Sequence, residues 1–261
     1  MNKIYALANQ KGGVGKTTTA VNLGAYLASC GLKVLLVDVD SQSNATSSLG
    51  IDKRQVQQST YQALVKQCAL AETVQPTDWE KLYLAPASPN LAGAEIELVD
   101  AEGREYLLRQ AIVSLADEYD YVLVDCPPSL GLLTVNALTA ALHGVIVPIQ
   151  CEYLALEGLT ELLNTIRLVR EHLNPRLTIR GILMTMFDPR TNLSQQVVDE
   201  VQHHFARYVF KTRIPRNVRL GEAPSFGRPI MAYAPKSAGA RAYQSLTLEI
   251  LRSDGWRIPQ P

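Results

Sequence analysis

The sequence predicts a doubly wound α/β fold, with a mostly parallel sheet covered by helices on both faces. Three observations lead there. Short apolar runs lack the polar–apolar alternation of a half-exposed strand, as expected when both faces of a parallel sheet are covered. Segments with helical spacing separate those runs. A glycine-rich loop joins the first run to the first helical segment, Gln10-Lys11-Gly12-Gly13-Val14-Gly15-Lys16-Thr17.

In chain order, Ile4–Ala8 reads as a buried strand, and Thr17–Ser29 as a helix with Ala20, Leu23 and Leu27 on one side. Gly31 is placed to cap that helix, and Lys33–Val37 forms the second strand. Residues 51–90 are less regular and predict peripheral helices, with a strand near Leu82-Tyr83-Leu84. Tyr121–Val124, Gly144–Ile149 and Ile179–Met184 read as further strands. Leu156–His172 and Ser194–Phe205 read as helices. Pro215, Pro224, Pro229 and Pro235 predict a long surface loop before a last helix, Ala238–Leu251. No internal repeat breaks the 261 residues, and a single domain is expected.

The loop between the first strand and helix has the chemistry of a phosphate site. Glycines let backbone N–H groups converge on phosphate oxygens without side chains in the way. Lys16 is placed to reach the β- and γ-phosphates and Thr17 to offer its hydroxyl to Mg²⁺. Position 10, glycine in the common pattern, is Gln10, and a second lysine, Lys11, opens the motif. After the second strand, Asp38 and Asp40 are spaced to face one side of an extended chain, so both could face the phosphates. Asp125 ends another apolar run, the position of a Walker B carboxylate that holds Mg²⁺ directly or through water.

Composition excludes some classes. Twenty-five basic and 25 acidic side chains cancel, so any nucleic-acid partner must find a local patch. Four scattered cysteines form no C-x-x-C pair and imply neither a zinc site nor a disulfide framework. With no signal peptide or membrane span legible, a cytoplasmic protein is expected.

Three segments together resemble the deviant Walker A ATPases of the ParA/MinD group. They are Lys11–Thr19, Asp38–Thr46 and Val124–Pro128. Met184–Asn192 and Ile214–Leu220 are similar to the chromosomal ParA, or Soj, branch. The resemblance spans nearly the whole chain and implies a P-loop NTPase fold of the SIMIBI type, with ATP and Mg²⁺ as cofactors. It implies that ATP brings two protomers face to face. Lys11 would then reach the partner's nucleotide, as an arginine finger does, and Gly12 would lie at the seam. Gly12, Gly13, Val14, Gly15, Lys16, Thr17 and Thr18 would contact the phosphates. Asp40 would position the attacking water on the metal side of the site, with Thr17 and Asp125 at the Mg²⁺. Met186, Pro215 and Asn217 would flank the adenine by analogy with the family, although an ordinary loop fits the same residues. The family's ATP-bound homodimer binds double-stranded DNA without sequence preference, and a ParB-type protein stimulates hydrolysis. Gly221 and Phe226 depart from the serine and histidine expected in the Soj-like loop.

From Arg180 onward there are twelve Lys or Arg against six Asp or Glu. A basic face on this third would bind phosphates regardless of sequence, though a solvated basic rim accounts for the same count. Arg216 is one candidate contact, and the family resemblance favours Arg190 and Arg219. Three rival readings are a MinD-like membrane ATPase, an iron–sulfur protein of the nitrogenase type, and a positioner of a plasmid or protein cargo. The Pro-containing tail 253–261 argues against a membrane. No second cysteine near residues 85–100 accompanies Cys126, so that thiol is read as a small buried residue.

Overall fold

A computed structural model describes residues 2–153 and 155–256. Strand β1 (Lys3–Leu7) runs through the glycine loop into helix α1 (Lys16–Ser29), and β2 (Val34–Asp38) follows. Short helices α2 (Asn44–Ser48), α3 (Thr60–Leu64) and α4 (Leu70–Thr73) precede β3 (Gln75–Pro76) and β4 (Leu82–Ala85). Helices α5 (Leu91–Glu97) and α6 (Leu107–Val113) lead to β5 (Tyr121–Asp125). Alternation then continues through α7 (Leu132–Ala140), β6 (Val145–Gln150), α8 (Ala155–His172) and β7 (Ile179–Thr185). The chain closes with α9 (Asn192–Phe205), α10 (Val218–Glu222), a 3-10 turn (Ala223–Phe226), α11 (Ile230–Tyr233) and α12 (Ala238–Ser253).

The strands form one seven-stranded sheet in the order β3-β4-β2-β5-β1-β6-β7. Every pairing is parallel except β3 with β4. Alternate residues of each central strand feed two separate cores. Ile4, Leu35, Val37, Val122 and Val124 join the core under α5 to α9, whereas Tyr5, Leu7, Leu36, Tyr121 and Leu123 join the core under α1 and α12. Both faces are dry, which is why these strands show no alternation.

Helix α12 buries Ala240, Tyr243, Leu246 and Ile250 against α1. Its far end is tied down by Asp254, which pairs with Arg180 at 3.0 Å and accepts hydrogen bonds from the Tyr5 and Tyr121 hydroxyls, 2.8 Å each. Burial without such partners would be costly for these groups, so the network is satisfied as a unit.

The proline-punctuated stretch before α12 differs from the surface loop expected. Residues 208–216 run beside β7, bridging Ile182 with Val209 and Phe187 with Pro215, and α10, the 3-10 turn and α11 follow. Ile214, Ala223 and Ile230 are buried in the core. The prolines set turn and helix starts here: Pro224 lies in the first turn of the 3-10 helix and Pro229 caps α11.

Candidate phosphate and nucleotide site

The carboxyl ends of β1, β2 and β5 lie side by side, where ligands bind in open α/β sheets. Gly13 (φ 74°) and Gly15 (φ 92°) take left-handed backbone conformations that side chains disfavour, which turns the loop's N–H groups inward. Helix α1 starts with no side-chain cap and no acidic residue in its first turn. Its orphan N–H groups and its dipole therefore remain for an anion.

Lys16 is buried, and its Nζ donates to the Lys11 carbonyl at 3.1 Å. Burial lowers its pKa, opposed by the carboxylates of Asp125 and Asp40. Thr17 Oγ1 donates to Asp125 Oδ2 at 2.7 Å. The other oxygen, Asp125 Oδ1, is buried with no hydrogen-bond partner. Burial, and then the neighbouring Asp38 carboxylate, push the Asp125 pKa well up. A buried carboxylate with an unused oxygen, next to a threonine hydroxyl, suits a hard cation that takes oxygen ligands.

Asp38 overturns one expectation. It lies opposite Asp125 in the β2–β5 register, but it does not line the cleft. Its Oδ1 accepts from the Asp40 amide, and its Oδ2 from the Thr46 amide (2.9 Å) and hydroxyl (2.8 Å). Burial raises its pKa to about 6 against the pull of those bonds. Period-2 geometry fails because the chain turns immediately after β2, so Asp38 becomes the anchor of the loop that presents Asp40. Asp40 itself lines the cleft, with Oδ1 held by the Gln42 amide at 2.9 Å.

The cleft has two contiguous parts that share Gly15, Thr18 and Met186. The phosphate part, about 330 Å³, is lined by Gly12, Gly13, Lys16, Thr17 and Asp40 among others. The second part, about 370 Å³, is more apolar and is walled by Ile214, Pro215, Asn217, Val218 and Tyr243. All three residues expected at the adenine therefore sit on one pocket. Asn217 Oδ1 is occupied by the Arg219 amide at 2.9 Å, so its NH₂ is the group left for a ring acceptor.

Three comparisons bear on this geometry. A family model described as an AAA domain matches residues 2–179. Sporulation initiation inhibitor protein Soj of Bacillus subtilis is 56% identical over 250 residues, covering 96% of this chain and 98% of that protein. The chain belongs to the ParA/Soj family of ATPases. Chromosome partitioning protein ParA of Myxococcus xanthus is 51% identical, covering 100% of this ParA-family chain and 92% of its own. Among solved structures, a Mycobacterium smegmatis protein described as cobyrinic acid a,c-diamide synthase with bound ATP analog and magnesium matches with a TM-score of 0.85. It is 40% identical and covers 100% of both chains.

In this ParA-family chain Lys11 is not part of its own cleft wall. Its ammonium lies 3.7 Å from Glu152, beyond the end of β6. The same carboxylate lies 3.6 Å from Arg216. Arg219 pairs with Glu222 at 2.8 Å, and Arg190 makes two hydrogen bonds to Asp188 that hold that carboxyl down at a pKa of about 2. The Phe187–Pro215 bridge and the bond from the Arg216 amide to the Phe187 carbonyl bring the Arg190 turn close to the segment carrying Arg216 and Arg219.

Sequence reasoning missed four positioning groups. Asn9 holds the loop through the Lys11 amide and the Pro148 carbonyl, and Thr185 donates to the Val14 carbonyl at 2.8 Å. Thr19 shares a hydrogen bond with the Tyr243 hydroxyl at 3.1 Å, which locks α1 to α12. The position of Asn9, two residues before the loop amide it accepts from, was a local signal. The other three depend on tertiary pairing.

Cys126 is fully buried, and all four cysteines are free thiols. Among the described residues, no helix is long and apolar enough to cross a membrane. Residues 257–261 of the tail used to argue against membrane binding lie outside the described residues.

Proposed function

We propose that the chain is an ATP-dependent dimerising switch that binds duplex DNA without sequence preference. Hydrolysis on stimulation by a ParB-type partner would release it, in chromosome partitioning. The observation carrying this reading is the separation of the two loop lysines: Lys16 lies inside the cleft, and Lys11 points away from it to Glu152. A lysine outside its own site is available to a second one.

Lys16 and the loop N–H groups would bind the phosphates. Thr17 and Asp125 would hold Mg²⁺, which supplies charge neutralisation there. Asp40, fixed by Asp38 through its own amide, would orient the attacking water. Lys11 from the partner would stabilise charge developing on the transferred phosphoryl group. Gly12 supports a seam, because a Cβ there would meet only the Pro128 Cβ at an ordinary 3.8 Å. One protomer alone does not require that glycine. Pro215 and Met186 would sandwich the base, with Asn217 as donor. Arg190, Arg216 and Arg219 would contact DNA phosphates.

Duplex retention measured with ATP, with ADP and without nucleotide tests the reading. DNA bound only with ATP, and lost as salt rises, is the expected result. Equal retention in all three conditions would refute an ATP-gated DNA switch.

A further inference from the structure

Between residues 207 and 241 the chain carries eight Lys or Arg side chains and a single acidic one, Glu222. In the middle of this basic stretch sits an exposed aromatic ring. Phe226 ends the 3-10 turn, and its side chain is 63% exposed. The ring stacks on Tyr233 with centroids 5.0 Å apart and planes 27° from parallel. The Tyr233 hydroxyl donates to Glu222 Oε2 at 2.9 Å, and that oxygen also accepts from Arg219 at 2.8 Å. Ring and guanidinium thus belong to one braced patch.

The backbone fixes where Phe226 points. The next residue, Gly227, has φ 62° and packs on Gly50 so closely that a Cβ would lie 2.6 Å from the Gly50 Cα. A mobile tip would not need this close approach. The ring is held outward by stacking on one side and by a backbone contact on the other.

We propose that Phe226 is a DNA-contact residue, placing its ring against the minor-groove edge of a duplex whose phosphates are held by Arg219 and its basic neighbours. The inference rests on the DNA-binding reading above and adds an apolar component to it. Architectural proteins that bind the minor groove with little sequence discrimination frequently combine basic contacts with inserted apolar side chains such as Phe or Leu. The stretch is rich in positive charge, and Arg219 and Arg216, 59% and 62% exposed in spite of their acidic neighbours Glu222 and Glu152, can turn to a polyanion. An apolar contact releases no counterions, so it adds affinity without adding salt dependence.

The experiment is equilibrium binding of the full chain, with ATP and Mg²⁺, to a mixed-sequence duplex over a range of salt. Phe226→Ala should weaken binding about tenfold at every salt concentration and leave the log–log slope unchanged. Phe226→Leu, which keeps much of the apolar surface, should fall between Phe226→Ala and the unaltered chain. Arg219→Ala should instead make the slope shallower by about one. ATP binding, measured in parallel, should be unaltered in the Phe226 variants because the ring lies outside the cleft. Undiminished DNA binding by Phe226→Ala would overturn the proposal, as would a loss confined to low salt. So would intact DNA binding together with lost stimulation by a ParB-type protein, which would make the patch a protein-docking site. If Arg219→Ala and Phe226→Ala both leave binding untouched, the DNA surface itself is misplaced. If only Arg219→Ala weakens binding, the surface stands and the role of the ring fails.

Discussion

In the phosphate part of the cleft the walls are the glycine loop, the start of α1 and the loop carrying Asp40, all set on the ends of central strands. In the more apolar part, proposed for the base, they are the segment 214–221, the end of β7 and Tyr243 of α12. The phosphate end is held by the central sheet, and its groups are poised rather than satisfied. Lys16 rests on a carbonyl, and Asp125 keeps an unused oxygen. The more apolar part is held by bonds that are already complete, such as the Asn217 cap on α10 and the Thr19–Tyr243 hydrogen bond between α1 and α12. Polar groups with capacity to spare are thus concentrated at the glycine loop, and completed bonds and packing surround the more apolar part.

That contrast can be broken by substitution. The largest effect is expected from Lys16→Ala, which should abolish measurable ATP binding while leaving the unliganded melting temperature nearly unchanged. Retained tight binding in a calorimetric titration would remove Lys16 from the site. Next in size is Asp38→Ala, which strands three donors around a buried position and should cost about 3 kcal/mol of stability in denaturant titration. A cost well under 1 kcal/mol would mean that the loop presenting Asp40 does not depend on Asp38.

The companion substitution Asp125→Asn should run the other way. It keeps an acceptor for Thr17 and relieves repulsion from Asp38. Unliganded stability should therefore rise by about 1 kcal/mol while Mg²⁺-dependent hydrolysis is lost. Destabilisation instead would show that Asp125 is a structural carboxylate like its neighbour. At the base end, Tyr243→Phe removes one buried hydrogen bond to Thr19 and should cost about 1 kcal/mol, with at most a mild loss of nucleotide affinity. A loss of ATP binding as severe as that of Lys16→Ala would abolish the distinction between the two ends.

The same division explains what the sequence could reveal. Strand cores such as Tyr121–Val124, and the glycine loop between β1 and α1, are legible because their signals are local in the chain. Asp40 and Asp125 are legible for the same reason, as carboxylates at or just beyond strand ends. Asp38 was misread because its side chain answers to the Thr46 amide and hydroxyl, eight residues on, and a strand-period argument cannot see that turn. The segment 214–233 looked like a loop because prolines interrupt every periodic pattern in it. Its burial comes from Ile214, Ala223 and Ile230 docking on a face assembled from α1 and α12, which is information distant in sequence. Thr185 and Tyr243 stayed invisible as site residues for the same reason.

The two outer strands have a further consequence. On one side β3 is only two residues long and ends in Pro76, which has no N–H to offer a neighbouring strand. On the other, residues 208–216 cover part of the β7 edge through backbone bonds, the Ile182 amide donating to the Tyr208 carbonyl and the Ile214 amide to the Met184 carbonyl. With both borders blunted, two copies that meet offer each other little unpaired strand edge through which their sheets could fuse. A reversible dimer of the kind proposed has to part again, and blunted sheet edges leave no second, irreversible way for its protomers to join.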